Sequence, residues 1–304
     1  MLPQGGGGRR VARGIIGRMP PLLRLLRPHQ WAKNALAFVG LLAAHRWGDA
    51  AAWVATLQVF VALSLVASAV YVFNDALDVA NDRLDPDKRE RPLASGSVAM
   101  AAGLTLIPLL LALALVAAWS LPQPAQWALL AYAGGALAYN LGIKRVLWLD
   151  VVVLATLYAA RVIAGALAAD IAPSPWLVSF SLFVFTSLAT LKRYSELVRS
   201  THEQLPGRAY RRNDRAMVAA FGVAAALAAT VVLALYVNGS DVAHMYRRPQ
   251  ILWALGPIVL TWLARIWTLA HRGEMPSDPV LYALRDRGSW LAACALLACF
   301  ALAA

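Results

Sequence analysis

Cysteine is almost missing from this chain: Cys294 and Cys299 are the only two in 304 residues. Both fall in the last apolar stretch without a His or Cys partner pattern. That excludes a disulfide framework and a cysteine-based zinc site, and leaves them as packing residues. The five histidines, His29, His45, His202, His244 and His271, are dispersed and outline no imidazole metal cluster. Charge is scarce as well, at 14% of residues, and the acids are outnumbered, with 16 Asp+Glu against 28 Lys+Arg. A net charge of +12 in a soluble chain would point to nucleic acid, but no nucleic-acid module is present. A hydrophobic content of 60% and a mean hydropathy of +0.59 place the chain in a membrane instead. There the excess of cations sets topology and draws the protein to acidic headgroups.

What the chain does have is long apolar runs, at about 34–45, 53–80, 98–119, 125–143, 147–168, 174–197, 216–237, 250–271 and 289–304. About 20 apolar residues suffice for a helix to cross the hydrocarbon core, and these runs are too continuous for alternating barrel strands. The expected architecture is therefore an all-α polytopic membrane protein, a bundle of nine transmembrane helices. Residues 1–20, with their glycine run and arginines, read as a disordered basic N-terminus without a cleavable signal. Residues 21–304 read as one transmembrane catalytic domain. With the N-terminus inside, 23 of the 28 Lys and Arg collect on the cytoplasmic side and only Arg46, Arg247 and Arg248 stay outside, as the positive-inside rule demands. The expected location is the inner or plasma membrane, with the N-terminus and active site cytoplasmic.

One stretch breaks the apolar pattern. In "VYVFNDALDVANDRLDPDKRERPLASG", residues 70–96, five aspartates crowd in just as an apolar run ends. Asn74, Asp78 and Asp82 stand at i, i+4 and i+8 and share a helix face, with Asp75 alongside. Carboxylates near membrane depth cost about 2.5–3.5 kcal/mol each on insertion scales, so such a row needs a cation. The nearest cation in sequence within the row is Arg83, which makes an external ion the simplest answer. Oxygen donors without His or Cys suit Mg²⁺, with Mn²⁺ as the variant, usually held by one or two carboxylates plus substrate phosphates. Lys88 and Arg91 follow at once and suit the same phosphates. The bland alternative is a solvated acidic helix end.

These residues resemble the NDxxDxxxD signature and basic loop of the UbiA-type intramembrane prenyltransferase superfamily. "YNLGIKRVLWLD", with Tyr139, Lys144 and Asp150, is similar to that superfamily's second, Tyr-and-Lys segment. The resemblance implies nine helices around a cytoplasm-facing cavity, and a diphosphate bound through Mg²⁺. Where typical members carry a second Asp-rich motif, this chain has "LKRYSELVRSTHEQLPG", which contains no Asp. Exchanging acids for cations replaces metal-mediated phosphate binding with direct ion pairing. Together with "RPHQWAKN", which holds Lys33 and Asn34, and "DPVLYALRDRGS", this stretch looks like the decaprenyl-phosphate phosphoribosyltransferase branch. That implies transfer of 5-phosphoribose from 5-phosphoribosyl 1-diphosphate to a polyprenyl phosphate, feeding arabinose donors for cell-envelope glycans.

On that reading Asn74, Asp75, Asp78 and Asp82 are the metal ligands. Asp78, Asp82, Lys144 and Lys192 are the catalytic candidates. Lys33, Asn34, Asn74, Lys88, Arg91, Tyr139, Asp150, Arg161, Arg193 and Glu196 are the substrate-binding candidates. Several have plainer roles open to them: Asp150 pairing with Lys144, Glu196 pairing along its helix with Lys192 or Arg193, Arg161 paired with Asp150 or Asp170 rather than facing a cavity. Two other functions stay open, prenyl transfer to an aromatic acceptor and non-catalytic transport of a lipid phosphate. So does a homo-oligomer.

Overall fold

The computed structural model describes residues 19–85, 88–239, 242, 245–276 and 278–304. The expected basic N-terminus lies outside these residues up to position 18, as do Asp87 and His244. Among the described residues the chain is helical and has no strand beyond one isolated bridge, Gln204 to Arg211. Among the described residues, six helices are long and apolar enough to cross a membrane: 50–77, 100–118, 149–168, 175–199, 212–237 and 249–271. Each coincides with an expected run. Of the other three runs, 125–143 forms a 19-residue helix, 289–304 a 17-residue one, and 34–45 no single helix.

The chain divides into two compact units. The first comprises the residues up to Asn34 and Phe60–Ser120. It holds α1 (Pro21–Leu26), most of a 3-10 stretch (Pro28–Ala37), the second part of α3 (Ala50–Leu77), α4 (Val79–Leu84) and α5 (Met100–Ala118). Its core is small: Leu25, Ala69, Val72, Leu93, Val98 and Leu110. Polar side chains tie α3 to the N-terminal segment. Trp31 donates to Ser68 at 3.0 Å and the Asn34 amide to Ser64 at 3.0 Å. Asn34 thus sits 1% exposed as a helix-packing residue.

The second unit comprises Ala35–Val59 and Leu121–Ala304. It holds α2 (Phe38–Ala43), α6 (Gln123–Leu141), α7 (Leu149–Ala168), α8 (Pro175–Arg199), α9 (Arg215–Val237), α10 (Leu255–His271), α11 (Pro279–Ala283) and α12 (Arg287–Ala303). Here the core is extensive and aromatic, with Tyr158 stacked on Phe185 at 5.3 Å and Tyr194 against Trp267 at 5.6 Å. Small residues allow the close approaches. An added Cβ on Gly165 would lie 1.9 Å from the Ala37 carbonyl, so α7 and the entering segment meet backbone to backbone. This contact explains why 34–45 is no single helix, since the 3-10 path delivers Ala37 to Gly165. A cavity of about 520 Å³, lined by apolar residues such as Val39, Trp176, Phe180, Val232 and Phe300, opens among the C-terminal turns of α7 and the first turns of α8.

Two outcomes follow from this packing. Gly222 of α9 faces Trp267, whose indole donates to Ser187 at 3.0 Å and cannot yield; a Cβ there would stand 2.2 Å from the ring. Gly222→Ala should cost about 1–3 kcal/mol and lower the unfolding midpoint in detergent, whereas Gly134→Ala, which faces open space, should leave it unchanged or raise it. Asp286 caps α12, accepting from the Ser289 amide at 2.8 Å and from Arg265 at 2.6 and 3.0 Å. The Arg265 guanidinium, then Ser289 and Tyr282, hold its carboxyl down at about 2 against partial burial. The unfolded carboxyl titrates near 3.9, so this contribution is complete above that pH and is lost as pH falls towards 2. Acid unfolding of Asp286→Asn should therefore be less pH-dependent than that of the parent over that window.

Candidate active site

Each unit carries a cluster of buried charge. In the first, α3 ends at Leu77 and α4 starts at Val79, with Asp78 bent between them at φ −93° and ψ 3°. The helical register nevertheless continues: the Asp78 amide donates to the Asn74 carbonyl at 3.0 Å, and the Asp82 amide to that of Asp78 at 2.8 Å. Asn74, Asp78 and Asp82 therefore keep their four-residue spacing. Asp75 and Asp82 are buried, at 2% and 3% exposed, while Asn74 and Asp78 are half-buried.

A cation for this row comes from the protein itself, so the external ion, the simplest answer from the sequence, is not the only counter-charge present. Arg27 reaches both oxygens of Asp75, at 2.6 and 2.8 Å, and lies over the Tyr71 ring at 5.1 Å. Arg91 places one nitrogen 3.1 Å from Asp75 and 2.7 Å from Asp82. Arg27 comes from 48 residues before its partner, and Arg91 from 16 and 9 residues after its two. No local pattern could expose such pairings. Arg27 occupies the left-handed C-cap of α1, φ 52°, just before Pro28, where the helix must stop. Lys88 is exposed and pairs with Asp85 at 2.8 Å.

Do the acids suit a divalent ion? Among the described residues no three His, Cys, Asp or Glu converge as a ready metal cage. Both oxygens of Asp75 accept from Arg27, and one of them also accepts from Arg91. Asn74, Asp78 and Asp82, the last also paired with Arg91, form an all-oxygen set on one face. It fits a partial shell completed by substrate phosphates, the usual state of protein-bound Mg²⁺.

The second unit's cluster is built around Arg193. This guanidinium is 0% exposed. Its Nε lies 2.6 Å from Asp150, an ion pair without hydrogen-bond alignment. Another nitrogen pairs with Glu196, and the third donates to the Tyr139 hydroxyl at 3.0 Å. All three nitrogens are thus engaged by neighbouring side chains. Asp150 lies in the first turn of α7, where the helix dipole favours a carboxylate. It also accepts from the Tyr210 hydroxyl at 2.7 Å. Burial, then the bond to Asp150, pushes the Tyr210 hydroxyl well above the usual tyrosine range, so it remains a donor. Tyr210 in turn accepts the Trp148 amide at 3.2 Å, bracing that residue's left-handed backbone, φ 64°, at the start of α7.

Several open readings are thereby decided. Asp150 pairs with Arg193, and Glu196 with Arg193 at i+3. The Lys144 carbonyl accepts from Arg208 at 2.9 Å, and Arg208 also donates to Tyr139 at 3.2 Å. Two guanidiniums thus converge on one phenol. Lys144 and Lys192 are half-buried; Lys33 is buried, in the first unit. Arg161 lies between the Tyr132 and Tyr158 rings, at 4.8 and 4.9 Å, and donates to Tyr132 at 2.8 Å and to the Leu157 carbonyl. Sequence reasoning missed Arg27, Arg208 and Tyr210 as site residues. The only signal for the last two was their place just after the basic stretch that lacks Asp.

An all-helical membrane protein, with buried charges gathered where apolar helices end, is the class that fold and site define. Residues 35–285 match the UbiA prenyltransferase family, and the chain belongs to it. It is similar to nodulation protein NoeC of Azorhizobium caulinodans, 36% identical over 269 residues and 86% of each chain. It is 36% identical to protein y4nM of Sinorhizobium fredii across 91% of its own length but 55% of that protein's. Decaprenyl-phosphate phosphoribosyltransferase of Mycolicibacterium smegmatis is 37% identical over 182 residues, 58% of this chain and 57% of that one. The chain therefore spans little more than half of two of these three relatives. A UbiA homologue from Archaeoglobus fulgidus, solved with GPP and Mg²⁺, shares the fold at a TM-score of 0.72, with 15% identity over 92% of this chain and 99% of that one.

Removing one partner of a buried ion pair strands the other charge, which typically costs about 3–5 kcal/mol. Asp150→Ala should destabilise the protein by that much. Glu196→Gln, at a partner 24% exposed, should cost only about 1 kcal/mol. Thermal unfolding of the two variants in the same detergent checks the ranking.

Proposed function

We propose that this protein is a transferase that moves 5-phosphoribose from 5-phosphoribosyl 1-diphosphate to the phosphate of a polyprenyl lipid. The observation that carries the reading is the basic stretch 191–208. Where an Asp-rich motif would hold a prenyl diphosphate through metal, this chain has Lys192, Arg193, Arg199 and Arg208 and no Asp. The similarity to phosphoribosyltransferases over 58% of the chain supports it. The charge skew supports a cytoplasmic placement of the N-terminus and of the charged loops, where a soluble phosphosugar is available.

Asn74, Asp78 and Asp82 would hold a divalent ion, Mg²⁺ or Mn²⁺. When bound, the ion supplies Lewis-acid stabilisation of a diphosphate leaving group. The C1–O bond to the diphosphate breaks, the ribose carbon becomes oxocarbenium-like, and a new C1–O bond forms from the lipid phosphate. That nucleophile is already anionic, so no strong general base is required. The chain's work is positioning and electrostatics. Arg91 and Lys88 suit the diphosphate. Lys144, Lys192 and Arg208 suit a phosphate monoester, with Tyr139 oriented by Arg193 and Arg208. The apolar walls of the 520 Å³ cavity suit part of a polyprenyl chain. The pentose lipid would feed arabinose-donor synthesis.

The family match and the GPP-bound Archaeoglobus homologue favour a second reading, prenyl transfer to a small aromatic acceptor. Incubating membranes with labelled phosphoribosyl diphosphate and polyprenyl phosphate separates the two. An acid-labile labelled lipid is expected, lost on chelation and lowered about a hundredfold or more in Asp78→Ala and Asp82→Ala, with membrane insertion intact. Turnover only with a prenyl diphosphate and an aromatic acid would overturn the proposal.

A further inference from the structure

Within the first unit, two arginines hold the acids in different ways. Arg27 serves one carboxylate: it grips both oxygens of Asp75, rests on Tyr71, and is set by the fixed backbone turn before Pro28. Arg91 serves two: a single nitrogen lies 3.1 Å from Asp75 and 2.7 Å from Asp82. Its side chain is 26% exposed, whereas those of the carboxylates are 3% and 4% exposed. The backbone around it is braced, since Arg24 donates to the Glu90 carbonyl at 3.0 Å and Arg83 to the Ala94 carbonyl at 3.1 Å. A side-chain rotation can therefore release Arg91 without moving its loop.

We infer that Arg91 is a positioning residue that fills the acidic face until a divalent ion and a diphosphate displace it together, so that each ligand strengthens the binding of the other. The inference rests on the metal-binding part of the reading above. Asp75 and Asp82 are already balanced by Arg27 and Arg91. A divalent ion arriving alone at Asp82 must compete with a guanidinium and adds uncompensated positive charge in a buried setting. A diphosphate removes both obstacles. It gives the ion further oxygen ligands and gives Arg91 a new anionic partner that suits a planar guanidinium. Coupling of this kind is reciprocal.

The test is Mn²⁺ titration of the purified full-length protein by electron paramagnetic resonance, with and without inorganic pyrophosphate. In the parent, pyrophosphate should tighten Mn²⁺ binding by about tenfold or more. In Arg91→Gln, Mn²⁺ alone should bind about tenfold tighter and the pyrophosphate enhancement should largely disappear. A residue that merely supported the fold would weaken both measurements together. Arg91→Lys keeps the charge but not the planar fork and should fall between the two; it also serves if Arg91→Gln fails to fold. Unchanged or weaker binding of Mn²⁺ alone in the folded variant, or an enhancement that survives, would overturn the inference. No Mn²⁺ binding by the parent even with pyrophosphate would overturn the metal reading as well. Failure of phosphoribosyl transfer with the coupling intact would overturn only the choice of substrate.

Discussion

A carboxylate carried to the end of an apolar helix cannot stay charged and buried without a cation beside it. The two clusters of buried carboxylate and guanidinium described above follow from that requirement. In the first unit Asp75 and Asp82, almost fully buried, are met by Arg27 and Arg91. In the second, Asp150 and Arg193, both 0% exposed, meet each other. Coulomb attraction at low dielectric repays the loss of water only where geometry is close and the remaining donors are occupied. Tyr139 and Glu196 occupy those of Arg193, while Tyr210 donates to Asp150.

The two clusters are built differently. The first presents oxygen donors on a continuous helical register, with its arginines as counter-ions. The second is a guanidinium locked from three sides, with Arg208 meeting it at Tyr139. Buried and fully engaged, Arg193 orders Asp150, Glu196 and Tyr139 around it. That makes Tyr139, held by two guanidiniums, the side chain through which the cluster would express its charge.

Much of this was legible in the residue order. Six of the nine apolar runs appear as helices long enough to cross a membrane. The four-residue spacing of Asn74, Asp78 and Asp82 survives the bend at Asp78 because the backbone bonds continue through it. The pairing of Glu196 with Arg193 was readable too, being a neighbour relation on one helix. The segment at 34–45 was misread as one helix because its path is set by Gly165, more than a hundred residues away, where only a glycine lets the Ala37 carbonyl approach.

Composition and periodicity by themselves determined that the chain lies in a membrane, that it is helical, and where its few acids gather. These are properties of neighbours along the chain, and hydrophobic runs and helical spacing report them directly. Only the tertiary structure decided which cation serves which acid: Arg27 for Asp75, Arg91 for the pair, Arg193 for Asp150. Electrostatic attraction in a desolvated interior acts through space, so its partners are selected by packing and not by proximity in sequence.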